Sequence, residues 1–198
     1  MEKTKMGNQR LLNPLPVIIV GTYLDNKPNF ITVSWTGITS EDPSTIMVVI
    51  RNTRYSLKGI RENKTFSINV PSADILKETD YCGLASGSET DKAKDCNFKV
   101  FYGKSDTAPL IEECPINMEC EVYRIIPLGD HTLIFGKIIE SYISENCFTN
   151  HIPDIRKINP MCICTVADIS SGYYTVGEFL GTWGIGESVK KYNTEKKS

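Results

Sequence analysis

Two short stretches carry the residue types that hold an anion. Arg51-Asn52-Thr53-Arg54-Tyr55-Ser56 follows an apolar run and opens a segment with helical spacing. A helix start offers free N–H groups, and a hydroxyl beside two guanidiniums suits a phosphate. The second stretch is Ser86-Gly87-Ser88, followed by Lys92. A glycine there lets backbone N–H groups approach an anion closely. Each stretch also has a plainer reading: a solvated rim for the arginines, an ordinary turn for the Ser-Gly loop.

Other chemistries find little support. The only histidines are His131 and His151, and neither a Gly-x-Ser-x-Gly elbow nor a His-Glu-x-x-His zinc motif is present. A catalytic metal is therefore not expected. Nor does the chain contain a Gly-x-Gly-x-x-Gly fingerprint or a P-loop. The seven cysteines, Cys82, Cys96, Cys114, Cys120, Cys147, Cys162 and Cys164, are odd in number and lack a Cys-x-x-Cys pair. They read as free thiols serving as small buried hydrophobes in a reducing compartment. Cys162 and Cys164 would share one face of a strand, a weak metal signal. A net charge of −2 argues against a nucleic-acid binder. The apolar runs Val17–Val20 and Ile46–Ile50 fall far short of the ~20 residues of a spanning helix. Pro14 and Pro16 interrupt any signal-peptide core, so a cytoplasmic location is expected.

The elements that must carry these residues are mostly strands. Val17–Tyr23 is strongly β-forming, and Asp25-Asn26-Lys27-Pro28 is a turn cluster. Asn29–Trp35 alternates, placing Ile31, Val33 and Trp35 on one face, where Trp35 could simply pack in the core. Pro43 breaks the chain before Thr45–Ile50, a run apolar enough to be buried on both faces. Ser56 is placed to cap a helix to about Asn63. Thr65–Val70 reads as a strand. Ser72 is placed to cap a helix through Tyr81 with Ile75 and Leu76 inward, and Glu89–Asp95 as a short helix. Ile116, Met118, Cys120 and Val122 alternate with Asn117, Glu119, Glu121 and Tyr123, turn at Gly129-Asp130 and return over His131–Ser141. Cys162–Val166 would close a barrel, and the chain from Glu178 to Ser198 would fray. The expectation is one domain over residues 13–190, mainly β with short helices, with tails at 1–12 and 191–198.

Ordered segments resemble the flavin reductase-like family, and within it the flavoredoxin-type branch. They are Pro14-Leu15-Pro16-Val17, Lys27-Pro28-Asn29-Phe30-Ile31-Thr32-Val33-Ser34-Trp35, Gly37 to Pro43, Arg51-x-x-Arg54-Tyr55-Ser56, Phe66 to Pro71, Asp80 to Gly83, Ser86-Gly87, Asp91-Lys92, Pro109 to Pro115, and Leu128-Gly129-Asp130-His131-Thr132-Leu133. The resemblance spans about Asn13 to Gly186. It implies a split β-barrel, a homodimer, and FMN near the subunit interface. By the same resemblance Ser34, Trp35 and Thr36 lie beside the flavin ring and Asn29 reaches its polar edge. Arg51, Tyr55 and Ser56 hold the phosphate, with Ser86, Gly87 and Ser88 as further donors. Lys92 contacts the flavin or its phosphate tail, and His131 sits against the ring. Where some relatives place an aromatic over the flavin, this chain has Cys162-Ile163-Cys164.

The implied function is that of an FMN-binding redox flavoprotein. It would be an electron carrier or an NAD(P)H-dependent reductase of flavin or another acceptor, with a redox partner protein or small molecule. The alternative is a noncatalytic flavin- or haem-binding module that stores or senses its ligand. For Lys92 the plainer alternative is a solvated helix residue paired with Glu89 or Asp95, and for His131 a residue satisfying the hairpin backbone.

Overall fold

A computed structural model describes residues 1–166 and 170–181. A hairpin starts the main sheet: β1 (Ile18–Leu24) and β2 (Lys27–Val33) pair across Asp25-Asn26. Both turn residues have positive φ, 50° and 60°, as a two-residue hairpin turn requires. Next come β3 (Thr36–Glu41) and β4 (Ser44–Arg51), joined at Asp42-Pro43. Helix α1 (Ser56–Asn63) ends at Lys64 in the left-handed region and returns the chain into β5 (Thr65–Val70). Helices α2 (Leu76–Leu84) and α3 (Lys92–Asp95) follow, then the long strands β6 (Ile116–Leu128) and β7 (His131–Ile143), which turn at Gly129-Asp130 with Gly129 at φ 59°.

The main sheet has the order β2-β1-β5-β6-β7-β4-β3, every neighbouring pair antiparallel. It curls around one core. Val20, Ile31, Val48, Ile50, Phe66, Ile68, Cys120 and Ile134 meet inside, with Leu57 and Ile60 of α1. Strands β2 and β4 both reach this core, yet β2 is an edge strand and lies far from β4 in the pairing order. The barrel is therefore split between them. A second core lies on the outer side of the sheet, where Ile19 and Phe30 pack with Cys82, Phe98, Ile111 and Cys114. The molecule is mainly β with short helices, a split barrel. Among the described residues no helix is long and apolar enough to cross a membrane.

Several expectations are corrected. Strand β3 was legible only as a break at Pro43, because Thr36–Glu41 is a largely exposed edge without apolar alternation. Strand β4 buries Ile46, Val48 and Ile50, while Met47 and Val49 stay half-buried. Ser56 does not cap α1: Tyr55 holds that position without a side-chain bond. Ser72 does cap, accepting the Asp74 N–H at 3.3 Å, but for a single 3-10 turn, Ala73–Ile75, that precedes α2. Leu76 is 37% exposed, and α2 turns Thr79 and Cys82 inward instead. Helix α3 starts only at Lys92, capped by Asp91. Asn117 and Glu119 are buried although they alternate with the core face, since Asn117 is bonded to Ile111 of the second core and Glu119 to the 104–105 turn and Tyr142.

Strand β8 (Met161–Val166) does not close the barrel. It pairs with Leu15–Pro16 on one side and β9 (Ser170–Thr175) on the other, in a separate sheet. Glu178–Gly181 follows without regular structure, and the remainder of the expected fraying tail, with the 191–198 segment, lies outside the described residues. All seven cysteines are free thiols, four of them buried.

Candidate anion and ring cleft

The split between β2 and β4 opens into two clefts that share Ile31, Arg51 and Arg54. The first, about 400 Å³, is lined by Ile31, Arg51, Thr53, Arg54, Tyr55, Ser56, Ala85, Ser86, Gly87 and Lys92. Among the described residues three cations line it and no carboxylate does. Arg51 closes β4, Arg54 lies in the turn before α1, and Ser56 is the first helical residue. The Ser86–Ser88 loop brings the opposite wall. It is folded on itself: the Ser86 and Ser88 hydroxyls are 2.8 Å apart, and the Ser86 carbonyl accepts the N–H groups of Glu89 and Thr90.

Lys92 is only 4% exposed. Its ammonium donates to the Phe30 and Cys82 carbonyls, both at 2.8 Å. An ammonium has three N–H donors, so two hold it in place and a third remains. Burial pulls its pKa down; Cys82 opposes this, and the nearby Arg54 charge adds to it. The solvated-helix alternative is thus contradicted, because neither Glu89 nor Asp95 is its partner.

The second cleft, about 290 Å³, is walled by Ile31 to Trp35, by Val49 to Arg51, by Arg54 and by His131. Trp35 does not complete the core; it is 39% exposed. Its ring stacks on His131, with centroids 4.8 Å apart and planes 22° apart. His131 Nδ1 lies 2.7 Å from Asp130 Oδ1, and Arg51 Nε lies 3.9 Å from the other Asp130 oxygen. The hydrogen bond to His131, with its charge and Arg51's, holds the Asp130 carboxyl below its ordinary pKa. A third cavity, about 480 Å³, lies beyond Trp35 and is lined mainly by apolar groups including Leu12, Leu15 and Met47. Together these place a partly apolar cleft beside a cationic one.

The sequence profile of the flavin reductase like domain matches residues 10–161. The chain belongs to that family. It is similar to the flavoredoxin of Methanosarcina acetivorans at 35% identity, over 96% of this chain and 100% of that one, with a TM-score of 0.88. It is similar to the flavoredoxin of Desulfovibrio vulgaris (Miyazaki F) at 32% identity, over 94% and 100%, with a TM-score of 0.85. An uncharacterized protein of Archaeoglobus fulgidus is 31% identical over 73% of this chain and 81% of its own.

In this flavin reductase-like chain the residues named from the sequence come together unevenly. Arg51, Tyr55, Ser56, Ser86, Gly87 and Lys92 line the cationic cleft; Ser34, Trp35 and His131 line the second one. Thr36 faces the third cavity, and its hydroxyl donates to the Met47 carbonyl at 2.7 Å. Ser88 is exposed and touches the cleft only through Ser86. Tyr55 supplies a wall rather than a free hydroxyl, since its O–H donates to Asp25. That bond pushes the phenol pKa up and holds Asp25 down. Asn29 lies behind the wall and lines neither cleft. Arg54, paired with Arg51 in the sequence motif, is the shared residue the resemblance-based roles left out. Asp130 was also missed; its position beside His131 at the hairpin tip was the available signal. Cys162 lies in β8, within 3.5 Å of the Tyr174 carbonyl, and lines none of the three cavities.

Proposed function

We propose that the protein is an FMN-binding redox flavoprotein of the flavoredoxin type, acting as an electron carrier. The observation that carries this is the cationic cleft: Arg51, Arg54 and Lys92 with the Ser56 and Ser86 hydroxyls, sharing Ile31, Arg51 and Arg54 with a second cleft walled by the Trp35–His131 stack. A dianionic phosphate wants charge-assisted donors, and an isoalloxazine wants an apolar or aromatic wall. The donor set fits FMN. When bound, FMN supplies the capacity to take up and release electrons. Arg51, Arg54 and Lys92 would hold the phosphate. Trp35 and His131 would help orient the ring, and Ile31 and Val49 would help exclude water.

The carrier role is favoured because the two flavoredoxins match this chain almost end to end, at over 30% identity. A second reading, an NAD(P)H-dependent reductase, is supported by the cavity beyond Trp35, which leaves room for a second planar ligand. The protein is also proposed to be a cytoplasmic homodimer. The exposed Ile152, Ile155, Val176, Phe179 and Leu180 around one groove support an interface there. Steady-state NAD(P)H oxidation by the yellow, FMN-loaded protein tests the choice. Turnover only with an added donor protein supports the carrier; rapid turnover with NAD(P)H alone replaces it by the reductase.

A further inference from the structure

We propose that Asn29 is a positioning residue that sets the anion selectivity of the cleft, a role that rests on the phosphate reading above. Asn29 is 3% exposed on β2 and lines neither cleft. Its side-chain nitrogen donates to Ser56 Oγ at 2.7 Å. A serine oxygen that accepts this bond keeps its own hydrogen for another acceptor. Ser56 faces the cleft, so the amide fixes its hydroxyl as a donor toward whatever sits there. The other end of the same amide meets the opposite wall. A Cβ built on Gly87 would collide with Asn29 Oδ1 and lie 3.1 Å from Tyr55 Cδ1. Only glycine lets the Ser86–Ser88 backbone come this close. One buried side chain thus ties β2, the start of α1 and the loop. It determines both the polarity of one donor and the distance across the cleft.

Asn29→Asp reverses the polarity and also adds a negative charge; the double variant separates the two, because repulsion of the anion persists without the Ser56 hydroxyl whereas a loss routed through that hydroxyl does not. The carboxylate has the same shape but only accepts, so the Ser56 hydroxyl must turn its hydrogen back and is lost to the anion. Flavin fluorescence titrations with FMN and riboflavin compare wild type, Asn29→Asp, Ser56→Ala and the double variant. Asn29→Asp is expected to weaken FMN by about tenfold or more, and riboflavin by about twofold at most. Adding Ser56→Ala to it should change FMN little further. If wild type prefers FMN and Asn29→Asp prefers it equally, this inference is overturned. If wild type itself binds both flavins alike, the phosphate reading fails and takes this inference with it. Gly87→Ala supplies a test that does not need a buried carboxylate to fold. It should weaken FMN by about fivefold or more in wild type yet add little to Asn29→Ala, because the side chain it strikes is gone. Equal losses in both backgrounds would overturn the role across the cleft.

Discussion

The indole of Trp35 lies against the imidazole of His131, their centroids 4.8 Å apart. Trp35 follows the end of β2 and His131 begins β7, so the stack ties the two strand ends across the mouth of the split. Asp130, bonded to His131 Nδ1 at 2.7 Å, fixes the ring on which Trp35 rests. His131→Ala should therefore weaken FMN and riboflavin by the same factor, about 0.5–1.5 kcal/mol for an aromatic contact. Parallel titrations of the two flavins check this; a loss confined to FMN would move His131 to the phosphate end.

Arg54 lies at the junction of the two clefts, and its charge is felt by Lys92. Arg54→Ala should weaken FMN by about 1.5–3 kcal/mol, the range of a hydrogen bond to a charged group, and leave riboflavin nearly unchanged. Titration over a range of salt checks the charge: the variant should show a shallower salt dependence than wild type.

Lys92 gives an alkaline signature. Its folded-state pKa is lowered from the ordinary 10.5, first by burial. Its charge is present below the folded pKa and lost as pH rises through it, while the unfolded chain stays protonated until the ordinary value. Between the two, the unfolded state binds more protons, so apo stability should rise with pH. FMN affinity should fall in the same window, because the cleft loses a cation. Thermal melts and flavin titrations from pH 8 upward read both trends (their opposite signs are the test). Lys92→Ala should abolish both.

Glu119 is fully buried, and its carboxylate accepts the Lys104 N–H at 3.0 Å, the Ser105 N–H at 2.8 Å and the Tyr142 O–H at 2.8 Å. It fastens the 103–105 turn to the barrel wall. Glu119→Gln puts a donor among donors and should destabilise the fold by about 1–3 kcal/mol. Chemical denaturation measures this; an unchanged midpoint would mean that the turn is held by other contacts.

What the sequence conveyed, and what it withheld, follows from how local each signal is. The β6–β7 hairpin was legible because Ile116 to Val122 alternate and Gly129-Asp130 turns the chain. Arg51 to Ser56 and Ser86-Gly87 were legible as anion-friendly types, but that they face one another is a long-range fact. Glu119 alternates with the core face, and alternation alone cannot tell solvent from the 104–105 turn that covers it. For Trp35 the sequence left core packing open beside a place at the ring, because it prolongs the Ile31–Val33 face; β2 in fact ends at Val33. Strand β8 finds its partner in Leu15–Pro16, almost the whole chain away, and nothing near Cys162 announces that. Asn29 was visible as a polar residue in a strand, but its contact with Ser56 and Gly87 exists only once three elements meet.

If the cleft recognises a phosphate-bearing flavin, it must separate FMN from riboflavin. Quenching of flavin fluorescence by the apoprotein, with FMN and riboflavin compared in the same low-salt buffer, tests it most directly. FMN should bind at least about tenfold more tightly, given charge-assisted bonds from Arg51, Arg54 and Lys92. Equal affinity for the two flavins would contradict it.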